Sequence, residues 1–430
     1  MSSPQPVDPA APGAIAEDLF RRESGRLVSV LTGHLGVHRL QLAEDVVQEA
    51  LVRALQTWPY RGVPDNPAAW LTQTAKHLAL DQLRRERNWQ EKEPGIAAEH
   101  ARWLASPTPD TRAPETFADD TLRMLFVCFH PRLSVEAQTA LALRTLCGLS
   151  PAEIAGAFLT SEAAIAKRLV RARQRIRDLN LPFSVPGPAD LPKRLDGVLA
   201  TLYLLFNEGY KASTGERLVR EDLCHEAIRL ARLLADHPAT RQPKTHALIA
   251  LMMLNAARLP ARTDVSGALR RLREQDRGLW NPTLIRGGLE HLALSATGDA
   301  LSEYHLEAGI AACHSTAPDD ASTDWARVLS LYDQLAARSR SPVVALNRAV
   351  AVARVHGPAE GIKAIDRIPN RERLEDYHLY HAVRGALEAE LGHAEEALRR
   401  YRKAESLATH PSERAFLAAR IRECRDGNTQ

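Results

Sequence analysis

Residues 149–177, LSPAEIAGAFLTSEAAIAKRLVRARQRIR, decide how the chain is read. Ser150-Pro151-Ala152-Glu153 has the pattern of a capping box, with proline at the first helical position, where its missing N–H costs nothing. The helix it opens is short and ends near Phe158. Leu159-Thr160-Ser161 makes a break, and a second helix begins near Glu162. On that second helix Ile165, Leu169, Ala172 and Ile176 fall in one narrow band at about 100° per residue, a buried seam. Ala164, Lys167, Arg168 and Arg171 share an adjoining face, with Ser161 at its start. Residues 161–177 carry six bases against one acid, Glu162. One helix thus packs and presents a basic strip, the layout of a helix-turn-helix whose second helix enters the major groove. A surface amphipathic helix with solvated arginines would read the same way, and the turn lacks the usual glycine. The first part of the chain therefore carries weight.

Working outward, the 430 residues are enough for two or three domains. Aromatics are scarce and Ala, Leu and Arg abundant, which favours an all-α protein over a sheet protein. A formal net charge of only +3 gives no global basic field, so a case for nucleic acid rests on local clusters. Only 8 of the 56 basic residues are lysine. That bias suits bidentate phosphate contacts and equally a GC-rich genome. Five widely spaced cysteines without a C-x-x-C argue against a disulfide frame or a zinc site and fit a reducing cytosol. The opening MSSPQPVDPAAPG has neither a basic start nor an apolar core, so no signal peptide is expected, and no run of about 18 apolar residues predicts a membrane span.

Residues 1–13 read as a disordered tail. Residues 14–88 read as helices, with Ala43, Val46, Val47, Ala50, Leu51 and Ala54 at helical spacing. WPYRGVPDNP is a loop by composition, and Asn66 caps a helix with Pro67 in its first turn. Between Glu91 and Asp120 there are seven acids against three bases and recurring prolines, so residues 89–118 read as an extended acidic linker. Residues 119–180 are helical again and contain the opening stretch. A second proline-rich boundary follows, and residues 193–425 are nearly all helix pattern, broken at Pro260, Pro282 and Pro342. Within them GHAEEALRRYRKA (392–404) has the spacing of the second half of a tetratricopeptide repeat. VHGPAEGIKAIDRI is a looser copy about 36 residues earlier, which a generic helical hairpin also fits.

AEDVVQEALVRALQTW (43–58) followed by NPAAWLTQTAKHLALDQLRRER (66–87) closely resembles region 2 of bacterial sigma factors of the extracytoplasmic-function type. Residues 149–177 resemble their region 4. The resemblance covers about residues 14–180, and TLYLLFNEGYKAS (201–213) is similar to the opening of the long helical extension that one class of these factors carries. The resemblance implies an all-α chain in three parts: a region 2 bundle at 14–88, a region 4 helix-turn-helix at 119–180, and a C-terminal tetratricopeptide-like domain at 193–425. It implies core RNA polymerase (its β′ clamp and β flap) and promoter DNA as partners, a cytoplasmic location, no cofactor and no membrane.

Carried onto single residues, the resemblance has the acidic and amide face Glu44, Asp45, Gln48 and Glu49 docking on the polymerase clamp. It sets the next helix and the loop before it against the −10 promoter element, with Arg61, Asp65, Asn66, Lys76, Asp81, Arg84 and Arg85 as candidates. Unpaired bases of the melted strand would be read at that loop. Trp70 is expected in the core. Ser161, Ala164, Lys167, Arg168 and Arg171 would face the −35 element. If the two elements lie about 16 base pairs apart, roughly 55 Å, about 30 linker residues reach when stretched, to roughly 100 Å, but not as a relaxed coil.

The C-terminal half has two readings, a regulator of the factor in cis or a receptor for a partner protein or small ligand. Asn207, Glu208, Tyr210 and Asn347 are polar positions inside apolar runs that would line a pocket or serve as buried structural groups. No Walker loop, G-x-S-x-G or H-E-x-x-H occurs, so an enzyme is not expected. A helical-repeat scaffold, or a ligand-responsive DNA-binding regulator that is not a sigma factor, is the alternative to the sigma-factor reading.

Overall fold

The structure is a computed structural model and describes residues 11–89, 114–157, 160–211, 219–264, 269–298 and 300–426. The periodic apolar segments become eighteen α-helices among these residues, with no strand and one isolated bridge, Thr263 to Leu269. The chain divides into two compact units, residues 1–201 and 202–430.

The first unit begins with α1 (Ala11–Leu35), α2 (Leu40–Arg61) and α3 (Pro67–Trp89). It continues with α4 (Pro114–Cys128), α5 (Val135–Thr145), α6 (Pro151–Ala157) and α7 (Glu162–Asp178). The expected linker lies mostly outside the described residues, and its last five residues open α4. α1 packs on α2, α3 and α4, and α7 packs on α5 and α6. Trp58 is fully buried and meets the half-buried Trp70 edge to face at 5.6 Å, so Trp70 flanks the core rather than filling it. Gly25 marks the tightest approach: a Cβ there would stand 2.0 Å from the Leu146 carbonyl oxygen. Only a residue without a side chain lets α1 lie against the end of α5.

Helix α8 (Leu191–Tyr210) runs across the division between the units. The second unit continues through α9 (Glu221–Asp236), α10 (Pro243–Ala256), α11 (Pro282–Ser295) and α12 (Glu303–Thr316). α10 is buried almost all round, from Ala247 to Leu254 without interruption, because α9, α11 and α12 all pack on it. α13 (Trp325–Arg338), α14 (Pro342–His356), α15 (Pro358–Asp366), α16 (His378–Glu390), α17 (Ala394–Leu407) and α18 (Pro411–Asp426) then follow, each packed on the next. This is the nearest-neighbour arrangement of a helical repeat. Gly357 and Gly392 each end one helix and lead into another, at φ +93 and +79, so both repeat-like segments are real hairpins. Pro282 and Pro342 do not break helices but start them, each at the tolerated first turn.

Candidate nucleic-acid and polymerase interface

The recognition segment folds as its pattern requires. The Ser150 hydroxyl accepts from the Glu153 N–H at 3.2 Å, and the Glu153 carboxylate accepts from the Ser150 N–H at 2.7 Å. Ile165, Leu169, Ala172 and Ile176 are all buried. Ser161 is the N-cap of α7, accepting from the Ala164 N–H at 3.2 Å. Lys167 and Arg171 project into solvent, as do Val170 and Gln174 beside them. Ala164 and Arg168 are half-buried at the edge of the seam, and Arg168 lies close enough to Glu136 to help hold that carboxyl below its ordinary range, after its backbone and Ser134 hydrogen bonds. The exposed basic strip is thus narrower than expected and turned toward Lys167 and Arg171.

On α3, Asp81, Arg84 and Arg85 are exposed, with Arg84 and Asp81 3.8 Å apart. Arg61 is exposed at the end of α2, and Asp65 on the loop before α3. Asn66 accepts from the Ala69 N–H at 3.0 Å and so caps α3. Lys76 departs from expectation: it is 4% exposed. It stands on the buried stripe with Thr72, Ala79, Leu80 and Leu83, three, four or seven residues away on the same helix face. Its side chain is not presented to a promoter in this arrangement. Tyr60 is the residue the sequence reading passed over. It is 90% exposed at the end of α2, beside the loop, where an aromatic face could stack an unpaired base. Its setting in the proline- and glycine-rich stretch WPYRGVPDNP was the available signal, although Trp58–Arg61 of that stretch are the last turn of α2, with Pro59 inside it, and not loop.

On α2, Asp45 and Glu49 are exposed and Gln48 is half-buried. Glu49 is 3.2 Å from Arg53. Glu44 corrects the expected docking face: it is 3% exposed. Its carboxylate accepts from the Thr145 hydroxyl at 2.5 Å and from the Arg173 guanidinium on α7. Glu44 is three residues from Val47 and one from Ala43, so it falls at the edge of the buried stripe, where α5 and α7 cover it. The neighbouring Asp45, exposed but flanked by the packed helices, has its carboxyl pushed up by partial desolvation, partly offset by the Arg173 and Arg144 charges. Arg144 donates to the Leu149 carbonyl at 3.0 Å. Thr145 and Arg144 come from a different segment than Glu44, and nothing local in the sequence links them.

The described residues contain no cluster of three or more potential metal ligands and no helix long and apolar enough to cross a membrane.

Comparison with known proteins fits this arrangement. Residues 19–89 match Sigma-70 region 2, and residues 123–176 match Sigma-70, region 4. Residues 194–296 match a family of unknown function (DUF6596). An uncharacterized protein of Rhizobium meliloti (strain 1021) is 40% identical over 383 residues, which is 89% of this chain and 90% of the relative. No solved structure matches. With region 2 preceding a region 4 helix-turn-helix, the chain belongs to the sigma factors of the extracytoplasmic-function type, and carries a helical C-terminal extension.

Proposed function

We propose that this sigma factor grips core RNA polymerase through the acidic face of α2 and reads promoters with two separate surfaces, while its C-terminal extension regulates it in cis. Asp45, Gln48 and Glu49 are the accessible part of the docking face toward the β′ clamp. Arg61, Arg84, Arg85 and the exposed ring of Tyr60 face the −10 element. Lys167 and Arg171 face the −35 element, and α7 carries the β flap contact nearby. The polymerase performs the chemistry, and the factor is not an enzyme.

The observation that carries this reading is the exposed pair Lys167 and Arg171 on a helix whose opposite face is wholly buried. A buried seam fixes the helix, and the free basic side chains then have a defined direction for entering a groove. Run-off transcription with core polymerase tests it, comparing the full chain with residues 1–192. Specific transcripts from the full chain support the promoter role. A truncation more active than the parent means the extension inhibits, and a silent truncation means it is required. Equal activity of the two refutes regulation in cis, and no specific transcript from either refutes the promoter role.

A further inference from the structure

The second unit carries a solvent-open cavity of about 630 Å³, within the ~300–1,000 Å³ of small-molecule sites. Tyr332, Ile310, Val344, Val350 and Leu387 give it an apolar wall, and Trp325 stands near its charged end. That end is lined by Arg258, His314, Asp320 and Arg354.

One cation at that end lacks a carboxylate partner among the described residues. Arg354 pairs with Asp320 and lies 4.8 Å from the centre of the Trp325 ring. Arg273 pairs with Glu390 at 3.4 Å, and Arg271 pairs with Glu274. Glu307 accepts from the Tyr203 hydroxyl, and burial pushes its carboxyl up. Arg258 has no carboxylate partner among the described residues: its Nη2 donates to the Tyr210 hydroxyl and, at 2.8 Å, to the Asn255 amide oxygen. Arg277, just behind, donates to the main-chain carbonyls of His314 and, at 2.6 Å, Ala317. Three buried nitrogens are left without a partner here, Arg258 Nε, Arg277 Nη2 and His314 Nδ1. These three atoms are closed off from solvent, so a ligand in the cavity would meet the outer guanidinium nitrogens of Arg258 and Arg354 that line it. His314 is 9% exposed. Burial first, then the Arg258, Arg277 and Arg354 charges, pull its imidazole down to about 4, so it is neutral at pH 7 and adds no charge of its own.

We propose that this cavity binds a small organic acid, with its carboxylate at the Arg258 and His314 end and an apolar or aromatic body along Trp325, Tyr332 and Val350. A carboxylate matches the planar guanidinium fork, and an apolar body matches the rest of the wall. Asn347, which also lines the cavity, has no hydrogen-bond partner among the described residues and is free to meet a polar substituent on the body.

The test is calorimetric titration of the full-length protein with 2-naphthoate and decanoate, alongside the neutral 2-naphthalenemethanol and inorganic phosphate. The readout is binding, so it does not depend on whether the promoter role holds. At least one of the two acids is expected to bind saturably at one site, with the alcohol and phosphate weaker by about tenfold or more, the worth of one charge-assisted hydrogen bond. Arg258→Gln and Arg354→Gln should each weaken the acid by about tenfold, and Val350→Trp, which puts an indole where the ligand's apolar body would lie, should weaken it as well. The proposal is overturned if neither acid binds below about 1 mM, or if the alcohol or phosphate binds as well as the acid. It is also overturned if a variant that retains the parent's circular dichroism keeps full affinity. If Arg258→Gln does not fold, Arg354→Gln and Val350→Trp decide.

Discussion

Replacing Arg173 with alanine should loosen the contact between α2 and α7 by an amount that can be worked out in advance. Glu44 is 3% exposed and the Arg173 side chain 11%, so this ion pair sits largely out of water. Removing one member of such a pair costs about 3–5 kcal/mol, because the other charge stays buried without its partner. Thr145 still donates to Glu44, and the half-buried Arg144 lies within electrostatic reach of it, which puts the expectation near the low end, about 3 kcal/mol. Every 1.4 kcal/mol is about tenfold in an opening constant. Hydrogen exchange of residues 40–61 and 162–178 in the full chain should therefore speed up by roughly 100-fold where local opening limits exchange. Residues 243–256 in the other unit serve as the internal control and should not change. The double variant Glu44→Met with Arg173→Met removes both charges and should recover most of the loss, since an apolar pair of similar volume costs little. Unchanged exchange in the alanine variant, or a double-mutant coupling below about 0.5 kcal/mol, would refute the claim that this pair holds the two helices together.

Three further outcomes are expected. Tyr60→Ala should weaken binding of a melted −10 single strand by about 1–3 kcal/mol with little change in duplex affinity, measured by fluorescence anisotropy. Lys167→Ala and Arg171→Ala should each cost about 1–3 kcal/mol in −35 binding, and Arg168→Ala less, because Arg168 is half-buried; equal losses from all three in a gel-shift titration would contradict the orientation of α7. The buried Glu413 predicts an acid transition in the second unit. Burial alone would raise its carboxyl, but bonds from His378 at 3.1 Å and Lys211 at 2.7 Å outweigh that and hold it at about 2, against an ordinary 4.5. A lowered carboxyl stabilises the folded state above its unfolded value and loses that as pH falls. So about 3 kcal/mol should be fully present above pH 4.5 and drain away as pH falls through about 2. Glu413→Gln should flatten that part of a stability-against-pH curve.

Much of this molecule could be read from the chain because single helices announce themselves locally. The seam of α7, the capping box at Ser150 and the cap at Asn66 each depend on residues within one or two turns. Gly392 was legible for the same reason, and Gly357 proved to have the same left-handed backbone despite a looser sequence match. What stayed hidden depends on a second segment. Glu44 and Lys76 carry charge, and charge on a helix reads as surface, yet both sit on the apolar stripe and are covered. The partners of Glu44 lie 101 and 129 residues away in sequence. α10 shows no amphipathic stripe because it is buried on every side, so periodicity could not tell which of its faces meets which neighbour. The anion-shaped end of the cavity likewise joins Arg258, His314 and Arg354 from three separate helical regions, and no local motif marks it.

The burial of Glu44 bears directly on how a sigma factor of this form would meet its polymerase. The helix proposed to dock on the clamp already spends one of its carboxylates on α7, the helix proposed to read the −35 element. A ligand that needs α2 uncovered binds only the fraction of molecules in which α7 has moved away, and its apparent affinity falls by that fraction. Weakening the Glu44–Arg173 contact enlarges the fraction. Arg173→Ala should therefore bind core polymerase more tightly than the parent, by up to roughly 100-fold if opening dominates the cost. The gain saturates once most molecules are open. Glu44→Ala frees α2 in the same way but removes a carboxylate from the docking face, so its gain should be smaller. That ordering separates release of a covered surface from a simple change in net charge, which would have Glu44→Ala and Arg173→Ala act in opposite directions. Affinities for core polymerase that are equal for Arg173→Ala and the parent, or weaker for Arg173→Ala, would mean that α2 is not covered in the protein that the polymerase encounters.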